Sequence, residues 1–219
     1  MFKKLISKEK FADLIKDDMV LMIGGFLNCG TPEALVDIII QKKVKNLTII
    51  CNDTSFPDKG IGRLVAEKMV GKVITSHIGT NPETGKQMVD GSLKVDLVPQ
   101  GTLIERIRAG GMGMGGFLTP TGVGTMVEEG KQKMTIDGRE YLLELPLKAD
   151  VSLIKGGSVD QAGNVIYNGT ARNFNPIIAF AAETVVVEAE KLVEIGNLVP
   201  DHIVTPAPLV DFIYDPSQN

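Results

Sequence analysis

Apolar positions along this chain follow two rhythms. Phe11, Leu14 and Ile15 repeat at helical spacing within residues 8–16, behind Ser7 as a helix cap. Residues 19–23 are an unbroken apolar run, as expected of a strand buried on both faces. Ala34, Leu35, Ile38 and Ile39 then fall on one face of a second helix. Thr31 is its expected cap, Pro32 its first residue and Glu33 an acid in its first turn. Residues 47–51 predict a strand, 61–69 a helix and 73–77 another strand.

This alternation predicts an open, mainly parallel α/β sheet with helices on both faces. The pattern changes in the middle of the chain. Seven of the fifteen residues from 110 to 124 are glycine, which predicts irregular backbone. Asp137-Gly138 sits between residues 133–136 and 139–143 and predicts a small antiparallel hairpin addition. Further strands are expected at 151–155 and 184–188, with a helix over 175–182 between them. No internal repeat or linker is visible, so residues 1–219 read as a single domain, with fraying expected from about 215.

Composition narrows the function. The chain has 219 residues, 43% of them hydrophobic, and a formal charge of −4, which suits a sizeable core and excludes a basic nucleic-acid face. No apolar run is long enough for a membrane span, and Lys8-Glu9-Lys10 follows too early for a secretory signal, so a cytoplasmic protein is expected. The chain holds 24 glycines and only two histidines, His77 and His202, both isolated. That balance suggests backbone contacts rather than an imidazole base.

Three familiar signatures fail on spacing or context. Residues 79–86 imitate a phosphate loop, but their glycines are one residue too far apart and Gln87 replaces the metal-binding hydroxyl. Gly111-Met112-Gly113-Met114-Gly115-Gly116 satisfies the dinucleotide pattern, yet a helix-like segment, 103–108, precedes it where a strand is required. No C-x-x-C, H-x-x-E-H or G-x-S-x-G occurs, and no metal site is expected.

The loop after the first strand is the candidate that remains. Gly24, Gly25, Phe26, Leu27, Asn28, Cys29 and Gly30 join a buried strand to a helix start. Glycine allows peptide N–H groups to approach a ligand, and the helix N-terminus adds positive partial charge, so a phosphate, carboxylate or oxyanion would suit the loop. A tight βα turn without a ligand is the alternative. Asn52 and Asp53 end the next strand, where parallel sheets place ligands, or else form an Asx turn.

This segment resembles the first signature of the family I coenzyme A-transferases. Asp17, Leu21-Met22-Ile23, Gly24-Gly25-Phe26, Gly30 and Pro32 match it, and Asp18 departs from the usual Gly or Asn. The runs from Leu97 through Gln100 to Gly111, from Phe117 to Thr125 and from Gly169 through Arg172, Asn173 and Asn175 extend the resemblance over about residues 19–206. It is to the α-subunit branch, whose members act on acids such as acetate, acetoacetate and butyrate.

The resemblance implies exchange of CoA between a short-chain acyl-CoA and a carboxylate through a covalent glutamyl intermediate. It places that glutamate on a β subunit, in a Ser-Glu-Asn-Gly motif absent from this sequence. Glu129, Glu144 and Glu194 lack that context and read as surface or structural carboxylates. The resemblance assigns CoA binding to residues 24–30 and the oxyanion donor to Gln100. Arg172, Asn173 and Asn175 are left as ligands of the acceptor carboxylate or as subunit-interface residues. Coenzyme A is implied as substrate and the β subunit as partner, with no permanently bound cofactor. A stand-alone sugar-phosphate isomerase or ligand-binding protein of related open α/β fold is the alternative function.

Overall fold

The computed structural model describes residues 4–218. Four β-strands and four helices alternate first: α1 (Lys8–Leu14), β1 (Val20–Ile23), α2 (Glu33–Lys42), β2 (Leu47–Ile50), α3 (Ile61–Ala66), β3 (Val70–Thr75), α4 (Pro82–Asp90) and β4 (Lys94–Leu97). Helix α5 (Gln100–Gly111) leads to β5 (Phe117–Thr119), β6 (Lys133–Ile136) and β7 (Arg139–Glu144). The chain continues through β8 (Ala149–Gly156), β9 (Ser158–Asp160), β10 (Val165–Ile166), α6 (Asn175–Ile178), β11 (Ala182–Ala189), β12 (Leu192–Val193) and β13 (Phe212–Tyr214).

Seven strands form one parallel sheet in the order β13-β11-β8-β1-β2-β3-β4. Alternation along each strand divides two cores. Leu21, Ile23, Ile49 and Val151 pack with Phe11, Leu35 and Leu64, from α1, α2 and α3, on one face. Met22, Ile50 and Ile154 pack with Leu103, Ile107 and Ile178, from α5 and α6, on the other. The chain runs outward from β1 to β4 on one side, and β8 begins the other side. The β1–β8 junction is therefore the switch point where open parallel sheets form a crevice at their C-terminal edge.

The expected hairpin is present as β6–β7, with Asp137 at φ 50° and Gly138 at φ 75° in the turn. Two glycine-rich expectations need correction. Helix α5 runs to Gly111, and β5 lies within the 110–124 segment, pairing with β7 to complete a three-stranded antiparallel sheet. Gly110 and Gly111 are tolerated because the helix packs closely there. A Cβ on Gly110 would lie 1.9 Å from the Leu147 carbonyl oxygen. Buried Glu144, paired with Lys131 at 2.5 Å and Arg106 at 3.8 Å, ties this small sheet to α5.

Other differences are local. The helix expected over 175–182 is only α6, because the Ser152 hydroxyl donates to the Ile178 carbonyl and β11 begins at Ala182. Helix α4, capped by Asn81 with Pro82 in its first turn, occupies the segment that imitates a phosphate loop. Strands β9, β10 and β12 form a further small sheet. Asp215 is buried, and its carboxylate accepts hydrogen bonds from the Ser217 N–H and the Gln218 amide.

Candidate active site

The candidate residues converge on the C-terminal edge of β1, β2 and β3. The loop after β1 closes on itself through reciprocal backbone hydrogen bonds between Phe26 and Cys29, at 3.0 and 2.9 Å. The loop after β2 repeats this plan. Phe56 and Lys59 form a matching bridge, with the Lys59 N–H donating to the Phe56 carbonyl at 3.1 Å, and Gly30 and Gly60, at φ 76° and 50°, lead each loop toward its helix. The sequence shows no repeat because the two loops share little beyond Phe and Gly. Phe26 stands 52% exposed at the tip of the first loop.

The structure revises how the first loop is used. The N–H groups of Gly24, Phe26 and Cys29 donate to backbone oxygens, Gly25 N–H donates to Asn173 Oδ1 and Leu27 N–H to Asp53 Oδ2. Among the described residues, only the Asn28 and Gly30 N–H groups of this loop lack an internal acceptor. The helix start behind it is also engaged. Thr31 does not cap α2; Pro32 holds the cap position without a side-chain bond, and Leu35 N–H donates to Glu188 Oε2 at 3.1 Å. A buried carboxylate from β11 thus occupies the positive end of α2, and the site expected there for a ligand anion is filled by the chain itself.

The glycines of this loop serve close packing. A Cβ on Gly24 would lie 1.9 Å from Asn175 Oδ1, and one on Gly30 would lie 2.6 Å from the Ala171 carbonyl oxygen. Asn175 reaches across the crevice. Its Oδ1 accepts Lys155 N–H at 3.0 Å, and its Nδ2 donates to the Gly30 and Ala171 carbonyls. Asn173 Nδ2 donates to the Cys29 and Thr170 carbonyls. Asn173 and Asn175 are therefore bound to the loop. Arg172 points elsewhere, into a cleft of about 580 Å³ lined also by Tyr167, Asp201 and His202.

Asp53 carries both expected features, the Asx turn and a place at the edge of the site. Its Oδ1 accepts Ser55 N–H, while its Oδ2 accepts Leu27 N–H and Asn52 Nδ2. Asn52 is 2% exposed, and its Oδ1 has no hydrogen-bond partner among the described residues, as is true of Asn28 Oδ1 and Ser55 Oγ. Buried polar atoms without partners are uncommon and mark places where something further is bound or rearranged.

Gln100 is the first residue of α5 and is exposed, with its Oε1 against the Ser76 hydroxyl. Ser76 Oγ also lies 2.7 Å from the Asn52 carbonyl. A hydrogen-bonded path therefore runs from Leu27 through Asp53, Asn52 and Ser76 to Gln100, across three strand ends. Ser76 was missed in the sequence, where it falls inside the strand expected over 73–77 and carries no signal; the structure ends β3 at Thr75. The thiol of buried Cys51 is pushed up by burial, so it stays protonated at neutral pH. Cys29 is exposed, with Sγ 3.1 Å from the Thr170 hydroxyl. Among the described residues no cluster of His, Cys, Asp and Glu suits a metal ion, and no helix is long and apolar enough to cross a membrane.

A family model described as Coenzyme A transferase matches residues 5–215. The chain belongs to the coenzyme A transferase family. Two relatives are each 55% identical to this coenzyme A transferase chain over 213 residues. One is the acetoacetyl-CoA:acetate/butyrate CoA transferase alpha subunit of Clostridium acetobutylicum, covering 97% of this chain and 98% of the relative. The other is the acetate CoA-transferase subunit alpha of Escherichia coli, with 97% of each covered. The fold matches an acyl-CoA transferase of Escherichia coli O157:H7 in a thioester complex with CoA, at TM-score 0.87 and 21% identity, covering 98% of this chain and 47% of that one. Glutaconate coenzyme A-transferase from Acidaminococcus fermentans matches at TM-score 0.84 and 18% identity, covering 96% of this chain and 75% of that one. Family membership removes the isomerase alternative.

Proposed function

We propose that this chain is the α subunit of a heteromeric transferase that exchanges CoA between a short-chain acyl-CoA and a carboxylate, with acetate, acetoacetate and butyrate as its acids. Both 55% identical relatives are named as alpha subunits, and their names supply that acid class. The nucleophilic glutamate comes from the β subunit. Its carboxylate oxygen attacks the thioester carbonyl carbon, the C–S bond breaks, and CoA leaves as thiolate from a glutamyl anhydride. The thiolate then attacks the glutamyl carbonyl and releases the first acid as its carboxylate, leaving a glutamyl-CoA thioester. The second carboxylate displaces CoA from it, and the thiolate attacks the acyl carbonyl of the new anhydride to release the second acyl-CoA and the free glutamate.

This chain's part is to hold the oxyanion formed at each attack. The observation that carries the reading is an exposed Gln100 amide, fixed at one end by Ser76 at the C-terminal edge of the sheet. Asp53 is unsuited to act as the nucleophile, since both its oxygens hold the two loops. Residues 24–30 line the CoA path chiefly by shape, with the Asn28 and Gly30 N–H groups and the exposed Phe26 ring as their contacts. Asn52 stays buried behind the first two loops, donating from its Nδ2 to Asp53, and Asn173 and Asn175 keep the first loop in place. Arg172 is left for the interface or for the outer part of the ligand.

The test is CoA exchange by the chain assembled with its β subunit. Gln100→Ala is expected to lower kcat by about 10²–10³-fold, the usual loss for one oxyanion donor, with assembly intact by size-exclusion chromatography. A kcat within about threefold of the parent overturns the assignment.

A further inference from the structure

The Ser76 hydroxyl faces two acceptors with one proton. Its Oγ lies 2.7 Å from the Asn52 carbonyl oxygen and against Gln100 Oε1. The Asn52 carbonyl already accepts Ser76 N–H at 3.1 Å and the Thr75 hydroxyl at 3.0 Å. The Thr75 hydroxyl's other acceptor, the His77 carbonyl, is farther away at 3.5 Å, so Thr75 and the Ser76 N–H together fill the two lone pairs of the Asn52 carbonyl. Gln100 Oε1 has no other donor among the described residues.

We infer that Ser76 is a positioning residue: its hydroxyl proton goes to Gln100 Oε1 and so turns the Gln100 Nε2 toward the reacting carbonyl. A primary amide has nearly the same shape either way round, so only its hydrogen-bond partners decide which end faces out. With Oε1 tied to Ser76, the Nε2 hydrogens, which have no acceptor among the described residues, are the end of the amide left for the developing negative charge. With the amide reversed, its carbonyl oxygen would face that charge and oppose it. Ser76 has its place because it directly follows β3, beside the end of β2 and the start of α5. The hydroxyl acts through Gln100 and touches no reacting atom.

This inference rests on the oxyanion reading of Gln100, and a double-mutant cycle in the assembled enzyme separates the two. Ser76→Ala is expected to lower kcat about tenfold, with the KM for acyl-CoA within twofold of the parent and Tm unchanged. In the Gln100→Ala background the same substitution is expected to cost less than twofold. Ser76→Thr, which keeps the hydroxyl, is expected to recover most of the kcat. The inference alone is overturned if Gln100→Ala is crippled while Ser76→Ala stays within twofold of the parent. The same holds if the Ser76→Ala loss recurs in full without Gln100. If Gln100→Ala itself is active, both readings fall.

Discussion

At the scale of single residues, the loop after β1 is decided by what lies directly against it. Gly30 has a φ of 76°, and a Cβ there would meet the Ala171 carbonyl oxygen at 2.6 Å. Backbone cannot turn aside as a flexible side chain can. Left-handed strain and overpacking therefore add, and Gly30→Ala is expected to destabilise the chain by about 2 kcal/mol or more. Urea unfolding of the isolated chain measures this, and a loss below about 0.5 kcal/mol would show that the loop relaxes freely. The glycines were legible in the sequence, but the reason for them was not. They appeared to free peptide N–H groups for a ligand, whereas most of those groups are bound within the chain and the missing side chains make room for Asn175 and Ala171.

At the scale of elements, α2 is capped from a distance. Ser7 caps α1 and Asn81 caps α4 through their own side chains, as local sequence rules expect. Helix α2 takes its acceptor from Glu188, on β11, with Lys155 at 3.5 Å as the counter-charge. Burial pushes the Glu188 carboxyl above its ordinary value of 4.5, against the opposing pull of Leu35 N–H and Lys155. A raised carboxyl favours the folded state where it is protonated. Its contribution is full below the unfolded pKa and is lost as pH rises through the folded one. Glu188→Gln keeps an acceptor for Leu35 N–H and is neutral throughout. Relative to the parent, the variant is expected to gain stability between pH 5 and pH 7, read from urea midpoints at both values. A difference independent of pH would remove Glu188 from the titrating groups.

For the whole molecule, the crevice is an edge formed by three strand ends and a distant asparagine segment, and among the described residues it presents no glutamate suited to the proposed chemistry. The proposed division of labour predicts negligible CoA exchange by the purified chain alone. Addition of a β subunit carrying Ser-Glu-Asn-Gly is expected to restore it, as measured by transfer of CoA from acetoacetyl-CoA to acetate. Robust turnover by the lone chain would refute the two-subunit reading. The small sheet of β5, β6 and β7 is held to the body by buried Glu144. Only its hairpin was legible in advance, because β5 lies among glycines whose tolerance depends on the surfaces they meet.

The sequence by itself determined the alternation of strand and helix, the parallel sheet, the hairpin at Asp137-Gly138 and the family. Each of these is written in local periodicity, turn chemistry or contiguous motifs, and local signals survive without knowledge of the fold. It also singled out Gln100, Asp53 and Asn173 without joining them. The tertiary structure alone decided that Asp53 holds the first loop, that Asn173 and Asn175 close its other side, and that Glu188 fills the helix start. It also placed Ser76 behind Gln100. Each of those bonds links residues between 20 and 153 positions apart. Contacts of that separation exist only once the parallel strands have brought their C-terminal ends to one edge.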